Sequence, residues 1–273
     1  MILTSAWRGP FRDHQVFFPT SAELRVLATA CRPYEVFRSP HVVGPIDAIR
    51  TRVIDRSTTS CLDLTLPVDT LLHNMSAKSC RYEIRRAEKL GDRLSFRTTD
   101  RTVRADYFEL YNTFVEWKGY TKPITARRYE RYLQIGDVMV AYLDGVPVAG
   151  HLLVADPGAS RVRLVFSASA RFDDGGTGER VGPVNRWLHW REMLHYRDAG
   201  FATYDFGGGS SSSSIGRFKL SFGGVIEEGH SVAVEGALVR APVRSVEALQ
   251  LFARRRRAKA KAQAVSATPP TSA

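Results

Sequence analysis

Three stretches carry residue types at spacings that suit chemistry. The first is the glycine-rich run Asp173-Asp174-Gly175-Gly176-Thr177-Gly178, set between a strand-like and a helical segment. Backbone N–H groups and the positive end of a helix dipole would converge there, as an anion such as pyrophosphate requires. Asp173 and Asp174 put two carboxylates beside that anion, and a plain connecting loop fits the same residues. The second stretch is Tyr204-Asp205-Phe206-Gly207-Gly208 with Ile215–Gly224 downstream. Glycines on both sides of Arg217, Phe218 and Lys219 let backbone or ligand come close. The third is Lys78–Lys89, where Arg and Lys alternate with Glu83 and Glu88. That pattern suits phosphate binding and equally a solvated helix face with i,i+4 pairs.

Other chemistries find no support. There is no Gly-x-Ser-x-Gly elbow, no HExxH and no GxxxxGK[ST] loop. His189 and His195 lie six apart, off the spacing that puts two metal ligands on one helix face. The cysteines Cys31, Cys61 and Cys80 form no CxxC pair, which argues against disulfides and cysteine-held zinc. We therefore expect neither a metal nor a bound cofactor.

The elements that must position these residues are partly readable. Leu71–Leu90 reads as helical, with Asp69 as N-cap, Gly91 as stop and Ser76 as a point of division. Thr102–Lys118 is a second helix, with Tyr107, Tyr111, Phe114 and Trp117 on one stripe that suits core packing. A third covers Ala126–Gln134. Strands follow over 138–143 and 146–155, joined by an Asp144-Gly145 hairpin turn, and over 161–167. A helix is expected over 183–197 with Pro183 in its first turn, then a strand over 202–206. Residues 207–214 read as a loop, 232–239 as a last strand and 266–273 as a tail. Six prolines break the first 67 residues into short elements.

The chain has 273 residues, 44% apolar and 25% charged, a globular rather than disordered composition. No run approaches the ~18 apolar residues of a membrane span. Met1–Arg12 lacks an apolar signal core, so the expected location is the cytoplasm. Net charge is +11. Residues 240–273 hold eight basic residues and one acid, and Lys78–Arg104 hold nine against four. The positive surface is therefore local.

The pair Tyr204–Gly208 and Ile215–Gly224 resembles the C-terminal motif of the Fem peptidyltransferase family, a branch of the GNAT superfamily. There a DFGG-like turn precedes G-x-x-x-F-K-x-x-F-G-G. Val181–Trp190 is similar to that family's preceding helix, and Ser79–Lys89 to its basic helix. The resemblance spans about residues 60–235 and implies a GNAT-like α/β (α+β) fold, with a mixed, mainly antiparallel sheet flanked by helices. With only about 100 residues before Asp100, the first lobe is expected to be reduced. The implied divisions are 1–100, a catalytic domain over 101–243 and a basic helix and tail over 244–273.

The resemblance further implies amide-bond formation, with an aminoacyl group moving from aminoacyl-tRNA to the amine of a peptide-like acceptor. In that role Lys219 stabilises charge at the donor's reacting end; read from its own chemistry and not from the resemblance, Asp205 accepts the amine proton or orients Lys219, or caps its own turn, and no general base stands out. Arg217, Phe218, Phe222, Gly175, Gly176, Gly178 and Asn185 would hold the donor. Lys78, Arg81, Arg85 and Trp117 would hold the acceptor or phosphates. GNAT pyrophosphate loops carry Gln or Arg where this chain has Asp173, which favours tRNA over acyl-coenzyme A as donor. An acyl-coenzyme A N-acyltransferase and a catalytically silent RNA-binding module remain open on the same fold.

Overall fold

The period-two runs of the sequence assemble into one sheet. The computed structural model describes residues 1–46, 50–119, 123–170, 178–208 and 213–240. Gly175, Gly176 and the stretch beyond 240 lie outside them. The strands are β1 (Ile2–Arg8), β2 (Phe11–Phe17), β3 (Glu35–Val42), β4 (Thr51–Asp63) and β5 (Leu94–Thr98). They continue as β6 (Gly136–Leu143), β7 (Val146–Asp156), β8 (Arg161–Ser169), β9 (Thr203–Gly208) and β10 (Val225–Glu235). The sheet order is β1-β2-β3-β10-β4-β9-β8-β7-β6-β5. Only β2–β3 and β8–β9 run parallel, so the expected mixed, mainly antiparallel GNAT-like sheet is what the chain forms. β10 lies between β3 and β4, so residues 225–235 share a sheet with the segment expected as the first lobe.

Seven helices flank the sheet among the described residues: α1 (Ser21–Ala30), α2 (Val68–Asn74), α3 (Tyr82–Glu88), α4 (Arg101–Lys118), α5 (Ala126–Leu133), α6 (Gly178–Asp198) and α7 (Ser214–Leu220). Alternation along β6 sorts them by face. Met139 and Ala141 pack with Leu153, Val162 and Leu188 under α3 and α6. Val138 and Val140 pack with Val103, Tyr107 and Leu152 under α4 and α5. Each of the valine, leucine and methionine side chains among these contributes about 1.5–3 kcal/mol from burial. Helix α1 covers the far end through Leu24, Leu27 and Ala28.

Local signals account for most boundaries. Asp100 caps α4 by accepting the Val103 N–H at 2.8 Å, and Gly119 ends it at φ +61°. Asp144 and Gly145 both take positive φ, the turn that matches strand twist. The division at Ser76 is real: a π-helical turn, Ala77–Arg81, separates α2 from α3.

Three expectations are corrected and one element stands where none was expected. Pro67 rather than Asp69 stands at the start of α2. Helix α6 begins at Gly178, so Pro183 lies inside it and not in its first turn. The string around Lys219 is a helix, α7, because Ser213 caps it by accepting the Gly216 N–H at 2.9 Å. The last strand runs Val225–Glu235 rather than 232–239, since pairing to β4 holds seven residues, 225–231, that alternation alone left out.

Candidate active site

Strands β8 and β9 pair in parallel at Arg161–Thr203, Val162–Tyr204 and Arg163–Asp205, and there the ladder stops. On its other edge β9 stays paired to β4 as far as Gly208. The carbonyls of Gly207 and Gly208 thus stand at the end of a broken ladder. Lys219 reaches them from α7, donating to Gly207 at 3.0 Å and Gly208 at 2.6 Å. An ammonium has three N–H donors, so one remains after these two bonds. Burial lowers the Lys219 ammonium to about 8, the nearby Arg163 lowers it too, and Asp205 opposes both.

Asp205 does not touch Lys219. Its side chain is wholly buried, on the side of β9 away from Tyr204 and Phe206. One oxygen accepts from Thr59 and from the Gly207 N–H at 2.7 Å. The other accepts from Arg161 at 2.7 Å and Arg163 at 2.9 Å. Burial pushes this carboxyl up, but Arg163 and Arg161 more than offset it and hold it below its usual value. A carboxylate so saturated anchors the two arginines and is badly placed to take a proton. Arg161 continues the chain to Glu227 at 2.7 Å, and Glu227 to His41 at 3.0 Å.

Behind Lys219 lies a ring cluster. Phe222 is buried among Phe206, Phe218 and His189, so it packs the core and has no surface for a donor. Phe218 is half-buried with the Arg186 guanidinium 4.8 Å from its centroid. His189 gives way to a polar group that sequence reasoning missed. His151 on β7 bonds Glu192 at 2.7 Å and Asn185 at 3.1 Å. Tyr204 donates to Glu192 at 2.6 Å and lies 3.0 Å from His189. Burial lowers His189 to about 4, and its neighbour His151 adds to that. Burial raises Glu192, yet His151 and His189 bring it down to about 2. His151, His189 and Glu192 offer ligand atoms within 4.8 Å of one another. Those atoms are already engaged with Asn185, Tyr204 and each other, which favours a hydrogen-bonded cluster over a metal centre. Asn185 therefore serves this cluster.

The basic segment joins the Lys219 helix directly: the Ser76 N–H donates to the Ser221 carbonyl at 2.8 Å. Lys78 and Arg85 are exposed, and Arg81 is half-buried. Arg81 and Arg85 line a cavity of about 280 Å³ with Asp69, Glu88 and Trp190. Arg217 is exposed on α7. Trp117 makes no contact with this group: it sits at the exposed end of α4, beside the Lys118 ammonium and the Phe114 ring. The rest of its stripe, Tyr107, Tyr111 and Phe114, packs against the core. Of the glycine loop, Gly178 opens α6.

The Arg161–Arg163–Asp205 group was legible only as a period-two pair of arginines on a strand. His189 and Glu192 stand three apart on a helix, a spacing that could have drawn notice.

Residues 76–220 match the family model of the acetyltransferase (GNAT) domain. Among solved structures, FemX aligns with a TM-score of 0.63 at 13% identity, over 90% of this chain and 85% of that one. The L-PGS from Bacillus licheniformis aligns at 0.56 and 15%, over 91% and 85%. A C-terminal domain from Agrobacterium fabrum, named for lysylphosphatidylglycerol synthetase, aligns at 0.56 and 16%, over 91% and 84%. At such identities the likeness is one of fold. No curated protein matches the sequence. No helix among the described residues is long and apolar enough to cross a membrane.

Proposed function

The chain belongs to the acetyltransferase (GNAT) domain family, and from that premise we propose that it makes an amide bond, transferring an aminoacyl group from aminoacyl-tRNA to the amine of a peptide-like acceptor. The acceptor class is a natural-product intermediate or a cell-wall precursor. The observation that carries this reading is the joint between the Lys219 helix and the basic Lys78–Lys89 segment. It ties a cation suited to the reacting ester to a positive surface suited to tRNA phosphates, on one face of the sheet.

In the reaction the acceptor amine attacks the ester carbonyl carbon. A C–N bond forms, the C–O bond breaks, and the terminal ribose hydroxyl leaves with the proton the amine gives up. The third N–H of Lys219 stabilises the oxygen that becomes negative between these events. Arg163, held by Asp205, adds positive potential beside Gly207. Phe218 and Arg217 face the donor from α7.

A second reading, acyl-coenzyme A as donor, draws on a different feature. A 21-residue helix, α6, opens directly after the glycine run, and its N-terminus suits a pyrophosphate.

Transfer from charged tRNA to candidate amines tests the proposal. Lys219→Ala is expected to lower kcat by about 10²–10³-fold, the cost of one oxyanion donor, with tRNA affinity unchanged. Turnover by Lys219→Ala at the parent rate would remove Lys219 from the mechanism. Transfer from acyl-coenzyme A and none from charged tRNA would favour the second reading.

A further inference from the structure

Beside the Arg161–Asp205 group stands a second constellation on the same face of the sheet. β10 pairs with β4 at Glu227–Thr59 and Gly229–Ser57, with no register shift between them. Ser57, Thr59, Glu227 and the open position at Gly229 therefore share one face. Thr59 bonds Asp205 there, and Glu227 accepts from Arg161 at 2.7 Å. His41 comes to this face from β3, on the far side of β10. Its ring lies across Gly229, where an added Cβ would stand 2.7 Å from Cε1 and 3.1 Å from Nδ1. A side chain at 229 would push the ring off β4, so glycine is what lets His41 cross a whole strand.

The bonds the ring makes have a direction. Nε2 of His41 lies 3.0 Å from a Glu227 oxygen, and Nδ1 lies 2.8 Å from the Ser57 hydroxyl. A carboxylate only accepts, so in the neutral ring Nε2 carries the proton and donates. Nδ1 is then bare, and the Ser57 hydroxyl donates to it. A hydroxyl held by a base that a carboxylate orients is the arrangement of an activated nucleophile. His41 is buried, whereas Ser57 is half-buried. A serine on a solvated strand face needs no buried histidine reaching across a neighbouring strand. No local motif marks the three, since His41 is 16 residues from Ser57 and 186 from Glu227.

We propose that Ser57, His41 and Glu227 form a second catalytic centre, which hydrolyses carboxylic esters through an acyl-serine. Ser57 Oγ attacks the ester carbonyl carbon while its proton passes to His41 Nδ1. The C–O bond to the alcohol breaks, and the leaving oxygen takes that proton. Water then attacks the acyl-serine and gives a proton to His41. Ser57 recovers that proton as the carboxylic acid leaves. Ester and water become acid and alcohol, and nothing else is consumed. His41, Arg161 and Arg163 line one cleft of about 310 Å³, and the guanidiniums supply positive potential for the oxygen that becomes negative. The donor's ester is within reach. Thr59 pairs with Gly208, whose carbonyl holds Lys219, and Ser57 lies two residues along β4 from Thr59, about 7 Å. An aminoacyl ester bound without an acceptor amine is therefore hydrolysed. That assignment rests on the acyl-transfer reading; the esterase centre does not.

Labelling with a fluorophosphonate, mapped by mass spectrometry, and hydrolysis of p-nitrophenyl acetate test the centre. The parent is expected to carry the label on Ser57 and to hydrolyse the ester. Ser57→Ala should lose both with its thermal unfolding midpoint near that of the parent. His41→Asn should slow both by about 10²–10⁴-fold, the contribution of a positioned base. If His41→Asn fails to fold, Ser57→Ala decides alone. No label and no hydrolysis in the parent, label on another residue, or undiminished hydrolysis by Ser57→Ala would overturn the centre. With charged tRNA and no amine, the parent should release free amino acid and Ser57→Ala should not, while Ser57→Ala still transfers when amine is added. Ester hydrolysis at Ser57 with no transfer to any amine would leave the centre standing and sink the acyl-transfer reading. Transfer with no Ser57-dependent release of amino acid would overturn the donor ester as its substrate.

Discussion

Lys219 is kept as a cation against its surroundings. Burial disfavours the charge and Arg163 adds to that, leaving the ammonium at about 8 rather than at its ordinary value of 10.5. Below pH 8 it is charged and can stabilise an oxyanion; above, it is neutral and cannot. The transfer rate is therefore expected to fall about tenfold per unit once pH passes 8, after correction for the amine's own ionisation. Lys219→Arg should move that limb beyond the measurable range. Stability should run the other way. Between pH 8 and 10.5 the unfolded chain keeps a proton at this site that the folded chain has lost, so stability from this group rises with pH. Urea unfolding of the parent against Lys219→Met, read as a difference across that window, isolates the effect. A difference that is flat, with a rate that does not fall, would mean that Lys219 sits at its ordinary value and has no such tuning. Asp205 belongs to the same scale with the opposite logic. It is a carboxylate whose oxygens are already filled by Thr59, Gly207, Arg161 and Arg163, so its work is to hold arginines in place.

At the scale of elements, the position of Lys219 depends on how α7 is seated. The chain leaves α7 through Gly223, at φ +86°, where an added Cβ would lie 2.7 Å from the Asn74 carbonyl oxygen. Both the backbone conformation and the space exclude a side chain there. Gly223→Ala is expected to destabilise the protein by about 1–3 kcal/mol and to lower kcat, because α7 must shift away from the end of α2 and the Ser76–Ser221 bond with it. The pair of urea unfolding and single-turnover rate checks this; loss of stability with an unchanged rate would show that α7 tolerates the shift. Elements such as α4 and the Asp144-Gly145 hairpin were legible in the sequence because cap, period and turn residues all lie within a few positions of one another. Helix α7 was not, since Gly216 and the serine run argue against a helix and only the Ser213 cap speaks for one. The start of α6 was hidden by the habit of placing proline in a first turn. The candidate site was half readable. Lys219 and the basic helix stood in recognisable strings. The Arg163–Asp205 pair arises from a parallel pairing across 42 residues, and His151 meets Glu192 across 41, which no local pattern carries.

Over the whole molecule, the net charge of +11 favours attraction of polyanions, and the proposed tRNA docking puts that attraction at one place. The segment that carries Lys78, Arg81 and Arg85 is tied to the end of α7 through Ser76 and Ser221, while Trp117 and Lys118 stand together at the end of α4. This separates placement from simple charge. Lys78→Glu and Lys118→Glu change the net charge equally, so a diffuse attraction would weaken equally in both. If tRNA docks beside Lys219, only Lys78→Glu should lose affinity, and its plot of log affinity against log salt should flatten by about 0.7–0.9, the yield of one phosphate contact. Arg85→Glu should behave like Lys78→Glu, and Trp117→Ala like the parent. Filter binding with charged and uncharged tRNA over 50–300 mM salt measures all of these. Equal losses in Lys78→Glu and Lys118→Glu would mean that the positive charge attracts RNA without orienting it. The link between the basic segment and α7 would then be a matter of packing alone, and the case for a tRNA donor would lose its geometric support.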